Sequence, residues 1–399
     1  MNRRGELDVI VVGAGIVGAA TALALVREGF EVGLIEARPP PAWNAGDAVD
    51  ARVVALAPDA KALLDELGVW ADVVRARSSA YRRMHVWDAL APGELGFDAA
   101  DRGEAALGWI VENRLLQHVL WQALDDPVDA SRAARLLCPA EVDSIENEAD
   151  GVAAVLVDGS RLRARLLVAA DGAASPIRTQ LGIATRDRDY AQRAIVAHVG
   201  TERAHESTAW QRFQPGGPLA FLPLADGRCS IVWSLPSDEA ARLLALDEAE
   251  FRAELGCAFD FRLGAITSTT SRLSFPLRMQ LAERYVRGRC VLIGDAAHAV
   301  HPLAGQGLNL GLRDVRSLRD QLVRAKTRGS DIGAAHVLRR YERERRSENT
   351  LAARSFSLIE SAFDSDATAI AGLRGIALAV ANRVAPVRRM LGDAAAGRL

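Results

Sequence analysis

The chain has 399 residues, and its 49 Lys+Arg against 51 Asp+Glu leave a net charge of -2, so no global basic excess points to nucleic acid. Hydrophobic residues make up 49% and charged residues 25%, which excludes wholesale disorder; the length suits two or three domains that need no disulfide or metal staple. The four cysteines, Cys138, Cys229, Cys257 and Cys290, contain no C-x-x-C pair and read as reduced thiols of a cytoplasmic protein.

Behind Arg3 and Arg4 the apolar stretch 9–12 is short and opens a glycine motif, so no export signal is expected. No stretch reaches the ~18 apolar residues of a membrane span. Residues 9–12 read as a strand buried on both faces. An alanine-rich helix is expected over 19–28, stopped by Gly29, and a second strand over 32–35 ends at Glu36. Pro39, Pro40 and Pro41 then break regular structure. A helix is expected over about 58–67, a strand over 108–111, and a helix whose apolar face is Leu115, Leu116, Val119, Leu120 and Leu124. Residues 152–157 and 161–170, joined at Asp158-Gly159, predict a hairpin. Short strands over 194–200, 208–213, 219–222 and 229–235 predict an antiparallel sheet, followed by a helix over 237–255. Residues 290–293 form an apolar strand of the first kind, and the chain from Leu308 onward is mostly helical. The order predicts an α/β fold: a discontinuous nucleotide-binding domain with a sheet domain inserted into it.

Gly13, Gly15 and Gly18 form G-x-G-x-x-G between a strand and a helix. The first glycine makes the tight turn, the second admits a pyrophosphate, and the third lets helix and strand pack. The phosphate sits on free N–H groups at the helix start. Glu36, at the end of the second strand, suits a ribose diol. The motif alone does not choose between FAD and NAD. Of four Asp-Gly pairs, those at 150, 158 and 226 sit where hairpin turns belong. Asp171 instead follows the apolar residues 166–170 and leads into a helix start near Pro176, although a plain turn is the alternative. Gly294-Asp295-Ala296-Ala297-His298 follows the strand 290–293 and precedes a glycine-rich helix start. That is a second ribose-plus-phosphate arrangement. Asp295, His298 and His301 also read D-x-x-H-x-x-H. Their spacing spreads over more than one helix face and Pro302 interrupts it, so no metal site is expected.

Together these motifs, with His301-Pro302-Leu303-Ala304-Gly305-Gln306-Gly307-Leu308-Asn309, resemble the single-component FAD-dependent aromatic hydroxylases, the group of para-hydroxybenzoate hydroxylase. Asp50-Ala51-Arg52-Val53-Val54-Ala55-Leu56 and Val111-Glu112-Asn113-Arg114-Leu115 narrow the resemblance to the flavin hydroxylases of ubiquinone biosynthesis, which act on polyprenyl-phenols. It covers essentially the whole chain. The expected architecture is a Rossmann-like FAD-binding domain (1–75, 101–180 and 282–330), an inserted antiparallel β-sheet substrate domain (76–100 and 181–281), and a C-terminal helical region (331–399).

The resemblance implies FAD as cofactor, NAD(P)H and O2 as co-substrates, and a lipophilic phenol hydroxylated through a flavin C4a-hydroperoxide. A flavin monooxygenase of a soluble aromatic compound, and a flavin dehydrogenase or reductase on the same scaffold, are the alternatives. Glu36 is implied to hold the adenosine ribose, and Gly13, Gly15 and Gly18 the pyrophosphate. Arg52 and Arg114 are implied to reach the FAD phosphates and ribityl chain, with surface salt bridges as the alternative. Asp171 marks a motif serving both FAD and NAD(P)H, and Asp295 binds the flavin-side ribose. Pro302 lines the flavin ring, and Gly305, Gln306, Gly307, Leu308 and Asn309 present backbone to it. His298 and His301 are flavin-facing candidates or structural groups, and no general base is assigned. Trp210, Phe213, Phe221 and Trp233 either line a greasy substrate tunnel or pack a core. Ile370, Leu373, Ala377, Val380 and Val384 recur at helical spacing beside Arg374, Arg383, Arg388 and Arg389. Such a helix over 366–385 suits peripheral contact with the inner membrane, a partner in a ubiquinone-biosynthesis complex, a homo-oligomer mate, or its own domain.

Overall fold

The computed structural model describes residues 7–90, 93–126, 133–299 and 307–363, with side chains described to residue 352. The buried strand Leu7–Val12 is flanked in parallel by Val32–Ile35 and Arg161–Ala169. Arg135–Leu137 adds in parallel outside Val32–Ile35, and Cys290–Leu292 outside Arg161–Ala169. In chain order these parallel strands lie third, second, first, fourth, fifth, which is the doubly wound arrangement. The order of winding reverses between the parallel strands Leu7–Val12 and Arg161–Ala169, the place where such sheets take their ligands. Val142–Asn147, Val152–Leu156 and Val286–Arg287 complete an eight-stranded sheet on its antiparallel margins.

The helix Ile16–Arg27 packs between the helices Asn113–Asp125 and Gly307–Thr327. Crowded on all sides, it is buried from Gly18 to Val26, and four of its 12 residues are alanine. Gly29, with φ +73°, ends it in the left-handed conformation that its sequence predicts.

The second sheet has nine strands and runs from His298–Ala299 through Leu273–Ala282, Thr185–Thr201, Cys229–Pro236, Leu219–Pro223, Thr208–Phe213 and Arg83–Asp88 to Glu94–Asp98. Ile266–Thr269 pairs beside Thr185–Thr201. Only the pairing of Thr208–Phe213 with Arg83–Asp88 is parallel. One face is covered by the helices Ser237–Ala245 and Glu248–Ala258, whose Leu243, Phe251 and Leu255 pack on Ile195, Ala197, Phe221, Ile231 and Trp233. The opposite face presents Ala209, Phe213, Leu222 and Val232 to Val49, Val53, Ala55 and Ile110. Val53–Leu56 and Gly108–Glu112 belong, with Ser79–Tyr81, to a three-stranded sheet on the nucleotide-binding side. This inward face is therefore the seam between the two halves.

Three local expectations change. The single helix expected over 237–255 is broken at Asp247, which restarts the chain with a capping box to Glu250. The strand expected over 194–200 spans Thr185–Thr201, with a bulge between Asp189 and Gln192 where Ala191 takes φ +52°. The strand Leu273–Ala282 was not among those expected. The helix expected over 366–385 lies outside the described residues.

Candidate active site

The C-terminal ends of four parallel strands bring Gly13, Glu36, Asp171 and Asp295 to one edge of the eight-stranded sheet. At Gly13, φ is +96° and a Cβ would sit 2.5 Å from the Ala170 carbonyl oxygen. A Cβ on Gly18 would collide with the Gly13 carbonyl oxygen. Gly15 differs: nothing lies within 4 Å of its would-be Cβ. It is the N-cap of Ile16–Arg27, with no side-chain cap and no acid in the first turn. The helix start thus offers uncapped N–H groups to open space, the cradle an anionic pyrophosphate requires. Glu36 is aimed at the same loop, where its carboxylate accepts from the Ala14 N–H and, at 3.3 Å, from the Arg38 N–H.

Asp50 and Glu112, the acids of the two arginine motifs, hold those motifs together. Asp50 accepts from the Arg52 N–H at 3.2 Å and the Arg114 N–H at 3.3 Å. Its own N–H donates to buried Glu112 at 2.6 Å, and Glu112 also pairs with Arg77. Arg114 donates to the Ala42 carbonyl at 2.7 Å and to Asp47 at 3.3 Å, while its buried Nε has no partner among the described residues. Exposed Arg52 lies 5.7 Å from the centre of the Phe275 ring and close enough to Asp295 to stabilise its charge.

Asp295 is solvent-accessible yet crowded by protein, and desolvation in that cleft pushes its carboxyl up, opposed by His298 and Arg52. It has no hydrogen-bond partner among the described residues. Asp171 is occupied: it accepts from Ser175 Oγ at 2.6 Å and the Ile177 N–H at 3.0 Å. Burial raises its carboxyl, against those hydrogen bonds. The turn it organises supplies buried Arg178, which donates to the Ala296 carbonyl at 2.9 Å. Two motifs far apart in sequence are thereby joined.

Gly307 opens the helix Gly307–Thr327, and Leu308 is half-buried behind it. Asn309 is buried, and its side chain clamps the Ala55 carbonyl and the Ala57 N–H, each at 2.9 Å. His298 is fully buried with Nε2 2.5 Å from Asp314, so its ring is part of the structural core. His301, Pro302, Gly305 and Gln306 lie outside the described residues. Among the described residues no group of three His, Cys, Asp or Glu could hold a metal.

Strand alternation separates the four aromatic candidates. Trp210 pairs with Phe221, which pairs with Ile231, and Leu219 pairs with Trp233. All of these point to the helix-covered face, where Phe221 stacks on Phe259 at 3.7 Å. Phe221 and Trp233 are buried in the hydrophobic core beneath those helices, and Trp210 packs partly buried against it. Only Phe213 faces inward.

The inward face holds polar groups that the sequence reading passed over. His198 and Ser230 are directly paired, and His198 Nε2, Ser230 Oγ and Gln192 Oε1 are buried without partners among the described residues. Burial, helped by Arg228, holds the His198 imidazole down at about 4, against Asp226 and Asp50. The folded chain takes no proton there until pH falls to about 4, while the unfolded chain takes one near 6.5. Stability should therefore fall as pH drops from about 6.5 to 4, by roughly 3 kcal/mol across the window. Chemical denaturation as a function of pH checks this, and His198→Asn should flatten that part of the profile. Leu273 and Phe275 lie on the same face, opposite Val196 and Ala194, and both are exposed.

The residues fit FAD: an uncapped helix start, an acid for each ribose-like diol, and two arginines at the same edge. Glu36→Ala and Asp295→Ala each remove charge-assisted hydrogen bonds of about 1.5–3 kcal/mol, so each should weaken FAD binding roughly tenfold or more. Titration of apoprotein with FAD measures it, and full retention of flavin in the double variant would contradict both assignments.

The comparisons agree with this geometry. The FAD binding domain family matches residues 6–355. Ubiquinone hydroxylase UbiL of Rhodospirillum rubrum is 39% identical over 98% of this chain and 90% of its own length. The 3-demethoxyubiquinol 3-hydroxylase of Escherichia coli is 36% identical over 96% of each. The fold matches p-nitrophenol 4-monooxygenase PnpA of Pseudomonas putida with a TM-score of 0.78, at 21% identity, over 97% of this chain and 96% of that one. The chain belongs to the FAD binding domain family and is an FAD-dependent monooxygenase.

Proposed function

We propose that this enzyme hydroxylates the phenolic ring of a polyprenylated precursor in ubiquinone biosynthesis, with NAD(P)H as electron donor and O2 as oxidant. The observation that carries the reading is similarity along nearly the whole chain to two proteins named for ubiquinone chemistry, at 39% and 36% identity. Bound FAD supplies the electron transfer and oxygen activation. The chain's own residues bind, orient and exclude water. In this reading the Gly13–Gly18 backbone holds the pyrophosphate, Glu36 and Asp295 hold the two diol-bearing ends, and Arg52 and Arg114 add positive charge between them. The start of Gly307–Thr327 would offer the positive end of its dipole to bound flavin. The inward face of the nine-stranded sheet, closed by Phe213, Leu222, Val53 and Ile110, keeps water from the reacting ring.

The substrate's isoprenoid tail rests on exposed Leu273 and Phe275, where each methylene removed from water contributes about 0.8 kcal/mol. No helix among the described residues is long and apolar enough to cross a membrane, so the tail reaches this surface from a bilayer or a carrier protein. The proposal also divides the chain in two, with the seam at the inward face, and departs at two strands from the bounds expected from sequence, which put 76–100 in the substrate domain and 282–330 in the FAD-binding domain. Ser79–Tyr81 pairs on the nucleotide-binding side of that seam, and His298–Ala299 pairs on the substrate side. Mass-spectrometric profiling of quinone precursors in a deletion strain tests the function. A precursor lacking one ring hydroxyl should accumulate and disappear on re-expression, whereas an unchanged quinone profile would overturn the reading.

A further inference from the structure

We propose that Asp314 is a positioning residue for the flavin-side ribose site, fixing the 294–298 loop that carries Asp295 without itself reaching the cofactor. The inference rests on the reading that Asp295 binds FAD. Asp314 is fully buried on the helix Gly307–Thr327. Its Oδ2 accepts from the Gly294 N–H at 2.9 Å and from His298 Nε2 at 2.5 Å, so one oxygen ties both ends of the loop. At the first of those ends Gly294 turns the chain with φ +57°, and a Cβ there would press on the Val17 side chain of the glycine-loop helix at 3.1 Å.

The other oxygen, Oδ1, looks the opposite way. It accepts from Arg345 Nε at 2.7 Å and Asn349 Nδ2 at 3.3 Å, both on the helix Ala335–Phe363. Arg345 also donates to Asn349 Oδ1 at 2.9 Å and pairs with Glu348. From a third side Arg178 donates to the Ala296 carbonyl at 2.9 Å. Every one of these contacts on the loop engages its backbone or His298, and none engages the Asp295 carboxylate. The loop is held rigid while its one acid stays open to a ligand, which is how outer groups set the affinity of an inner one.

The test is FAD titration of apoprotein, read by flavin fluorescence and absorption, alongside thermal unfolding of apo and loaded protein. Asp314→Asn should raise the FAD Kd about tenfold or more and alter the bound-flavin spectrum. His298→Gln, which removes one loop tie and leaves the Asp314–Arg345 pair, should raise it in the same direction by less. Leu322→Ala, about 12 Å further along the same helix, should lower Tm and leave the Kd within about twofold. If Asp314→Asn does not fold, His298→Gln decides alone. Unchanged affinity in Asp314→Asn and His298→Gln, with weakened affinity in Asp295→Ala, overturns the proposal and spares the ribose assignment. Unchanged affinity in Asp295→Ala overturns both.

Discussion

Replacing Gly18 by alanine is expected to leave a chain that purifies without FAD. The added Cβ lands on the Gly13 carbonyl oxygen, and the Ala170 side chain stands 3.1 Å away on its other flank. Neither neighbour is the far end of a flexible side chain. The helix Ile16–Arg27 must therefore move off the strand, and the uncapped N–H groups lose their aim at the pyrophosphate. An affinity loss of about a hundredfold corresponds to roughly 2.7 kcal/mol, a modest demand on so severe an overlap. Gly15→Ala makes the informative contrast. Its Cβ meets nothing in the chain, so folding should survive while the space for the ligand shrinks. Flavin content by absorbance and Tm of the apoprotein separate the two. Gly18→Ala retaining stoichiometric flavin would contradict the close packing of helix, turn and strand.

Arg345→Ala should be the most destabilising single truncation at the interface of the two long C-terminal helices. The side chain is 2% exposed and bonded to Asp314, Asn349 and Glu348. Its loss leaves the Asp314 charge buried, and that carboxyl is otherwise held at about 2 against desolvation by His298 and Arg345. Removing one partner of a buried pair costs about 3–5 kcal/mol, well above the ~1 kcal/mol typical of a point substitution. Urea unfolding of apoprotein measures it. A loss below about 1 kcal/mol would mean that the network relaxes around the gap.

The nucleotide edge was legible in sequence because its constraints are local. Glycine spacing, a strand on one side and an acid at the next strand end are all written within residues 9–36. Sidedness in the inserted sheet was half-legible. Trp210 and Phe213 are three apart in one strand and cannot share a face. Which face turns inward is decided only by where the helices Ser237–Ala245 and Glu248–Ala258 pack. Leu273–Ala282 carries a period-2 signal in Leu273, Phe275, Leu277, Met279 and Leu281, but Pro276 argues against a central strand. Among the described residues His298–Ala299 pairs only with Gln280 and Leu281, so no described strand calls on Pro276 for an outer hydrogen bond. Asp314 and the acids Asp50 and Glu112 act through partners far away in sequence, and His198 is buried by strands that are likewise distant. Their residue types alone carry no sign of a buried role.

The most direct measurement is oxygen incorporation by the FAD-loaded enzyme, given a short-chain polyprenyl-phenol, NAD(P)H and 18O2. The expected result is one 18O atom in the hydroxylated ring for each NAD(P)H oxidised, with little oxidation when the phenol is omitted. Phenol-independent NAD(P)H oxidation that yields hydrogen peroxide, with no label in the ring, would contradict a phenol hydroxylase.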